Sequence, residues 1–361
     1  DGGPQVLVLR GLARVSAKVR SHLKEFKTCE ADEGIFTSGG GLAAVATILG
    51  DGIRLYRRFR GCPPGLFYQV AALPFRRIKI RALLNRFRPA FTWGRDPYNP
   101  EHVLRRQEQA RLGGKSHGIM SGFGGLTNLY PSLRHISFDC YYVFGRDIYE
   151  KIYKDTWAPD MNVVASGSFS LTREDLARLN RPKQGIRDIV IFTTFLSQME
   201  NTDARDMVRA LGEAFPDRTI RVQVRDYLDM RQRDSARQFI AGCTDGLDNV
   251  IYASEPMFDL VEKSRYAFSE PSTVIMESIQ FNVCAFMMDI FPFQKASFFR
   301  DYPGLSVRTP EEAVARIRDI ESGAWSYPWD DLDGLVNVSG EPICDIIRRG
   351  FDLPVVCHDN P

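Results

Sequence analysis

The sequence lacks the features that mark metal-binding, disulfide-stabilised or membrane-spanning proteins. Its seven cysteines are scattered and form no C-x-x-C pair, which argues against a disulfide framework and for a reducing compartment. Its five histidines show no metal-ligand spacing, and no apolar run approaches the roughly 18 residues that cross a bilayer. We therefore expect a cytoplasmic protein that needs no metal and no cofactor.

Acidic residues are absent from one stretch of an otherwise balanced chain. The 361 residues carry a net charge of only +2, so a general nucleic-acid binder is not expected. Residues 54–88, however, hold ten basic and no acidic side chains, interleaved with aromatic and aliphatic ones. This composition suits docking on an anionic membrane surface, here the inner face of the cell membrane. The alternative is two solvated helix faces separated by the turn at 62–65.

Strands and helices alternate along the chain, which predicts parallel sheets and an α/β fold. Six strands fall in the first half, one of them a strand end within the glycine-rich stretch 34–41, and five fall in the second. The polar stretch 171–185 reads as a linker between them. We predict two Rossmann-like domains that face a cleft, at 1–170 and 186–340, followed by a C-terminal helix and tail at 341–361.

One stretch, Tyr266–Asp289, combines a strand, a polar loop, a helix and a second strand. Its loop reads as a helix start capped by Ser272 or Thr273, and the free N–H groups and dipole at such a start favour phosphate. Glu277 lies one turn further on, where a carboxylate can reach the hydroxyls of a ribose. The alternative is a capped helix with an exposed glutamate. Two further polar residues precede the helix, Ser269 and Glu270.

Other polar side chains follow predicted strands, and in parallel sheets ligands bind at the carboxyl ends of the strands. In the second half these residues are Thr193, Thr194 and Arg225. In the first half they are Arg95, Asp96, Ser121, Arg146 and Asp147. Hydroxyls, a cation and a ribose-binding carboxylate are the groups that a nucleotide-sugar requires.

Several segments resemble bacterial polysaccharide glycosyltransferases of the glycosyltransferase-B fold, over about residues 88–350. The segment 88–125 is similar to the end of their first domain, and DCYYVFGRDIYEKI and NVVASGSF are similar to the segments that follow it. Ser272–Glu277 resembles their donor-binding signature P-S-x-x-x-x-E. The nearest relatives by this resemblance are transferases of CMP-linked acidic sugars, such as Kdo or sialic acid, and CDP-glycerol glycerophosphotransferases. Arg225-Asp226 departs from their pattern, which often has His-Pro there.

The resemblance implies a metal-independent glycosyltransferase of capsule or lipopolysaccharide synthesis. It would move Kdo or a related acidic sugar from a CMP- or CDP-linked donor to a growing glycan or a lipid-linked acceptor. The leaving phosphate would contact Arg225, Ser272 and Thr273. The base or nucleophile is expected to be Asp96, then Asp147, then His117, with Arg95, Ser121 and Arg146 on the acceptor side.

Three other functions are compatible with these residues. One is a CDP-glycerol-type glycerophosphotransferase. Another is a nucleotide-sugar 2-epimerase, which shares the fold and a similar S-x-x-x-E helix. The third is a non-catalytic sugar-nucleotide-binding subunit of a polysaccharide assembly complex.

Overall fold

Two parallel six-stranded sheets form the framework of the protein. The structure is a computed structural model, and it describes residues 5–9, 22–24, 26–31, 41–94, 101–120, 135–169, 171, 173–193, 202–224, 230–290 and 298–353. Every strand pairing in both sheets is parallel. The predicted α/β class with two Rossmann-like units is confirmed.

The first sheet has the strand order β2-β1-β3-β4-β5-β6. Its strands are β1 Gln5–Leu9, β2 Lys27–Ala31, β3 Phe91–Gly94, β4 Lys115–Ile119, β5 Cys140–Val143 and β6 Asn162–Ala165. Strand β2 was not predicted. Among the described strands it pairs only with β1. The exposed Lys27 and Thr28 at its start break the apolar run that marks a central strand.

The second sheet has the order β12-β11-β10-β7-β8-β9. Its strands are β7 Asp188–Thr193, β8 Ile220–Val224, β9 Val250–Tyr252, β10 Ser264–Ser269, β11 Cys284–Met288 and β12 Ser306–Val307. Strand β7 lies between β8 and β10. Strands β8 and β9 extend the sheet on one side of β7, and β10, β11 and β12 extend it on the other. The carboxyl ends of β7 and β10 therefore form the switch point at which open parallel sheets bind ligands.

Helices join the strands, as parallel pairing requires. They are α1 Gly41–Phe59, α2 Pro64–Phe87, α3 Glu101–Arg111, α4 Arg173–Leu179, α5 Thr202–Ala214, α6 Met230–Thr244, α7 Met257–Lys263, α8 Thr273–Gln280, α9 Pro310–Ser322 and α10 Ile343–Gly350. Within the described residues, none of them is long and apolar enough to cross a bilayer.

The apolar core follows the central strands. Residues 189–191, 266–268 and 284–288 are buried almost completely, because helices cover both faces of a parallel sheet. Nearly continuous apolar runs are therefore what made these strands predictable.

Part of the basic segment 54–88 is used inside the fold. Glu108 on α3 is fully buried and pairs with Arg81 at 2.7 Å, Arg77 at 2.6 Å and Arg111 at 2.9 Å. Burial alone would raise the pKa of Glu108, but the hydrogen bonds from these three guanidinium groups outweigh it and lower the pKa to about 2. The pairs of Glu108 with Arg77 and Arg81 fasten α2 to α3.

The predicted linker 171–185 contains the short helix α4 and is anchored to the second sheet's unit. Lys183 donates to the carbonyl oxygens of Val261 at 2.9 Å and Glu262 at 3.0 Å, at the end of α7. Arg178 pairs with Asp259 and with the Glu262 carboxylate, each at 2.8 Å. The predicted domain limits at 170 and 186 fall between the two sheets and remain predictions.

The C-terminal segment returns to the first sheet. The Asn337 N–H donates to the Phe144 carbonyl oxygen at 2.8 Å, just beyond β5. Further on, the Phe351 ring stacks on Phe91 at 4.2 Å. Gly350 lies so close to Tyr142 that a Cβ added there would be only 2.0 Å from its hydroxyl, so no larger residue fits. Helix α10 thus packs against the first sheet although it follows the second in sequence.

Candidate functional site

A cavity of about 230 Å³ lies at the carboxyl ends of β7, β8 and β10. It therefore occupies the switch point of the second sheet. Its lining residues are Phe192, Thr193, Gln223, Met257, Ser269, Ser272, Thr273, Val274 and Glu277. Five of the predicted donor-site residues thus lie together here, namely Thr193, Ser269, Ser272, Thr273 and Glu277.

Helix α8 points its N-terminus into this cavity. Ser272 is its N-cap in an extended conformation, and the Ser272 hydroxyl accepts a long hydrogen bond of 3.5 Å from the Val274 N–H. The first N–H groups of a helix have no acceptor within the helix, and the dipole gives this end a partial positive charge. The lining hydroxyls of Ser272 and Thr273 add further donors. This end of the cavity is suited to a phosphate.

Glu277 lies on the same helix one turn beyond the cap and also lines the cavity. The alternative of an exposed glutamate is wrong, because only 8% of the residue is exposed. The Ser168 hydroxyl donates to Glu277 Oε1 at 2.8 Å, and Ser168 lies just beyond β6 of the first sheet. A residue from the first half of the chain thus holds the carboxylate that the second half presents to the cavity.

The loop that carries Ser168 is fitted closely to α8. The Ser168 N–H donates to Gln280 Oε1 at 2.8 Å. Gly167 has a positive φ of 67°, and a Cβ there would lie 2.5 Å from the Gln280 side-chain nitrogen. Only glycine meets both constraints, so this loop position depends on the absence of a side chain.

Four lining residues were not predicted as site residues: the apolar Phe192, Met257 and Val274, and the polar Gln223. The Gln223 side chain donates to the Glu255 carbonyl oxygen at 2.6 Å, and the Thr193 hydroxyl donates to the Gln223 carbonyl oxygen at 3.4 Å. A polar residue one position before the end of an apolar strand was the available signal for Gln223. Met257 starts α7 and gives no such signal.

Glu270 is placed differently from the other predicted donor-site residues. It is almost completely buried, and it is not among the described residues that line the cavity. Its predicted contact with the donor remains a prediction.

In the first half, Asp147 lies beyond the carboxyl end of β5. The Tyr302 hydroxyl donates to Asp147 Oδ2, and Lys151 pairs with the same oxygen at 2.7 Å. Burial, and then the hydrogen bond to Asp147, raise the pKa of Tyr302, so this phenol stays a donor. The Asp147 N–H also donates to the Gly334 carbonyl oxygen at 2.8 Å. Asp147 therefore joins the first half of the chain to residues 302 and 334.

His117 and Arg146 are placed less favourably for chemistry in a cleft. The His117 ring is fully buried, stacks on Trp93 at 6.1 Å and meets the edge of Phe351 at 4.0 Å. Burial lowers the pKa of His117 well below its usual value, and the Lys115 charge lowers it further. This imidazole is a neutral core group rather than a strand-end group. Arg146 is exposed and lies 3.7 Å from Glu150.

Five predicted site residues lie outside the described residues: Arg95, Asp96, Ser121, Thr194 and Arg225. Their roles stay predictions. The strands that precede them do end as expected, because β3 ends at Gly94, β7 at Thr193 and β8 at Val224. Within the described part of the chain, no group of three His, Cys, Asp or Glu side chains is arranged to hold a metal ion.

Solved structures similar to this chain come from nucleotide-sugar enzymes. A Listeria monocytogenes protein assigned as a UDP-N-acetylglucosamine 2-epimerase superposes with a TM-score of 0.57 at 10% identity, over 97% of both chains. Staphylococcus aureus MnaA, solved with UDP, gives 0.53 at 8% identity, over 98% of both. The Neisseria meningitidis UDP-GlcNAc 2-epimerase bound to UDP-GlcNAc gives 0.52 at 10% identity, over 96% of this chain and 98% of its own.

The chain has the glycosyltransferase-B fold. At these identities the similarity shows the fold alone. No protein-family model and no curated protein matches the sequence. The expected fold is therefore confirmed, whereas the expected CMP-Kdo specificity has no support from these comparisons.

Proposed function

We propose that the protein is a nucleotide-sugar enzyme that binds its nucleotide in the cavity between β7 and β10. The observation that carries this proposal is the arrangement at α8. The helix N-terminus with Ser272 and Thr273 lies at one side of the cavity, and the Glu277 carboxylate lies one turn, about 5 Å, further along. That separation suits a phosphate followed by a ribose.

In this arrangement the phosphates accept from the first N–H groups of α8 and from the two hydroxyls. The ribose hydroxyls donate to Glu277, whose orientation is set by the Ser168 hydrogen bond. The nearly buried position of Glu277 strengthens its contact with the ribose, because little water reaches the carboxylate.

The first reaction to test is epimerisation at C2 of a UDP-linked sugar. It is supported by the similar solved structures, two of which are described as UDP-GlcNAc 2-epimerases and two of which were solved with UDP or UDP-GlcNAc. The proposed acid–base groups are carboxylates at strand ends of the first sheet, with Asp96 first and Asp147 second.

The second candidate is sugar transfer from a CMP- or CDP-linked donor to a glycan or lipid-linked acceptor. It is favoured by the resemblance of Ser272–Glu277 to a transferase donor signature. It is also favoured by the exposed basic and apolar surface of α1 and α2, which offers a place for an acceptor on a membrane. In this reaction Asp96 or Asp147 would activate the acceptor hydroxyl.

Thermal shift with UDP, CMP, CDP and GDP tests nucleotide binding, since a ligand bound only by the folded state raises the melting temperature. Incubation with UDP-GlcNAc without an acceptor, followed by NMR of the sugar ring, then separates the reactions. Inversion at C2 supports the epimerase. Turnover of a cytidine-linked sugar only when a glycan acceptor is added supports the transferase. A protein stabilised by none of the four nucleotides would refute the proposal.

A further inference from the structure

Helices α1 and α2 carry most of the exposed hydrophobic surface in the described part of the chain. In the described part of the chain as a whole, ten large hydrophobic side chains are exposed. Three of them, Ile251, Tyr252 and Val338, lie outside these two helices. The other seven belong to these two helices: Val45, Leu49, Ile53, Tyr56, Leu66, Tyr68 and Phe75. A soluble monomer rarely leaves such a concentration uncovered.

Four of these side chains form a stripe on α1. Val45, Leu49, Ile53 and Tyr56 are spaced by four, four and three residues, which places them on one face of α1. On α2, Tyr68 and Phe75 are two turns apart and are 79% and 68% exposed. The apolar stripe of α1 and these two rings of α2 therefore face solvent, whereas the exposed Leu66 lies on another side of α2.

The two helices form an antiparallel hairpin. Near its closed end the Tyr56 and Phe67 rings meet edge to face at 6.0 Å. Further along, Arg77 of α2 lies 3.5 Å from Asp51 of α1. These contacts hold the two helices side by side, so their exposed residues belong to the same helical hairpin.

Six arginines of the hairpin fall into two sets of three. Arg76, Arg77 and Arg81 pair with the acidic residues of α3 or α1. At the closed end, by contrast, Arg57, Arg58 and Arg60 are exposed, and no ion pair joins any of them to the rest of the described chain. Exposed positive charge therefore lies close to the apolar stripe of α1.

We propose that this hairpin docks the protein on an anionic phospholipid bilayer. The apolar stripe enters the boundary between headgroups and acyl chains, and the exposed arginines contact lipid phosphates. Charge favours lipid over a second copy of the chain, because a two-fold contact through this hairpin would bring like charges together. The proposal is independent of nucleotide binding, so either can fail without the other.

Vesicle flotation with the full chain tests the proposal. The protein should float with phosphatidylcholine vesicles that contain phosphatidylglycerol, and much less with phosphatidylcholine alone. Raising the salt from about 0.1 M to about 1 M shortens the Debye length from about 10 Å to about 3 Å, so binding should fall steeply.

Two sets of variants separate the contributions of charge and apolar surface. Arg57→Gln, Arg58→Gln and Arg60→Gln together should lower the partition coefficient by about a hundredfold, since each basic residue near the surface contributes about fivefold. Leu49→Ser with Ile53→Ser should lower it by about tenfold. All five residues are exposed, so the melting temperatures should hardly change.

Matched controls remove the same chemistry from other surfaces. Arg187→Gln, Arg237→Gln and Lys263→Gln remove three exposed positive charges, and Ile251→Ser with Tyr252→Ser removes exposed apolar groups. These variants should bind vesicles as the wild type does. The proposal would be overturned if the control variants lost as much vesicle binding as the hairpin variants. It would also be overturned if the wild type did not bind anionic vesicles at low salt. A third result would also overturn it: the hairpin variants sediment as monomers where the wild type sediments as a dimer, and their vesicle binding is unchanged. The hairpin would then be a contact between two copies of the chain.

Discussion

Replacing Glu277 by alanine should weaken nucleotide binding by about tenfold to a hundredfold. The carboxylate lines the cavity one turn from the helix cap, and hydrogen bonds to a charged group contribute about 1.5–3 kcal/mol. At about 1.4 kcal/mol per factor of ten, the loss corresponds to that range in the dissociation constant. Glu277→Gln should lose less, because one acceptor oxygen remains.

The same substitution should also lower stability, which distinguishes it from a change on a solvated helix face. Glu277 is nearly buried, and Glu277 Oε1 accepts from the Ser168 hydroxyl at 2.8 Å. Without the carboxylate, this buried hydroxyl loses its acceptor, which costs about 1–3 kcal/mol. For a domain of this size each kcal/mol corresponds to about 2–4 °C in melting temperature.

Ser168→Ala tests the contact from the other side. It keeps the carboxylate but removes the donor that orients it, so nucleotide affinity should fall by only a few-fold. The double variant should then lose less than the sum of the two single variants, with a coupling energy about as large as the Ser168→Ala loss itself, roughly 0.5–1 kcal/mol. Additive losses would mean that Ser168 does not act through Glu277.

Calorimetric titration with UDP and with CMP measures these affinities, and thermal unfolding measures the stabilities. Glu213→Ala is the matched control, because that glutamate is 62% exposed on α5 and lies away from the cavity. An unchanged affinity in a folded Glu277→Ala protein would refute the assignment of Glu277 to the nucleotide.

The remaining predictions concern the first half of the chain. Asp96→Asn should lower turnover by about a hundredfold or more, with little change in nucleotide affinity, if it is the base. Near-normal turnover would transfer that role to Asp147. Tyr302→Phe should lower the free energy of unfolding by about 1.5–3 kcal/mol, because it removes a donor to a carboxylate; an unchanged melting temperature would contradict this. Glu108→Gln should lower the free energy of unfolding by about 3 kcal/mol at neutral pH. Because the folded pKa is lowered to about 2, this contribution is complete above the unfolded value and should shrink as pH falls from about 4.5 to about 2. Denaturant titrations across that range check the slope.

The local pattern was sufficient for most elements of the fold. Apolar runs such as 189–192 and 284–288 stand between polar loops, and each is a strand because both faces of a parallel sheet are buried. The cap at Ser272 and the helix after it were also readable, since capping depends on neighbouring residues. Strands β2 and β12 and helix α4 were missed, because short edge strands and a short polar helix leave no clear apolar period.

The candidate site was readable only in part. Ser269, Ser272, Thr273 and Glu277 lie within nine residues of one another, so their chemistry could be recognised as a group. Gln223 is separated from them by some forty residues, and its place beside β7 follows from the strand order rather than from any local signal.

By itself, then, the sequence determined the α/β class, the two series of strands and the helix cap, because each depends on periodicity and turns within a few residues. Only the tertiary structure decided which groups meet. Ser168 and Glu277 are 109 positions apart, and Asp147 and Tyr302 are 155 apart. Folding likewise paired Arg76, Arg77 and Arg81 with acidic residues of α1 or α3, whereas Arg57 and Arg58 have no such ion pair within the described chain. Such contacts arise from how the sheets and the returning C-terminal segment pack, and the spacing of residues along the chain carries no record of that packing.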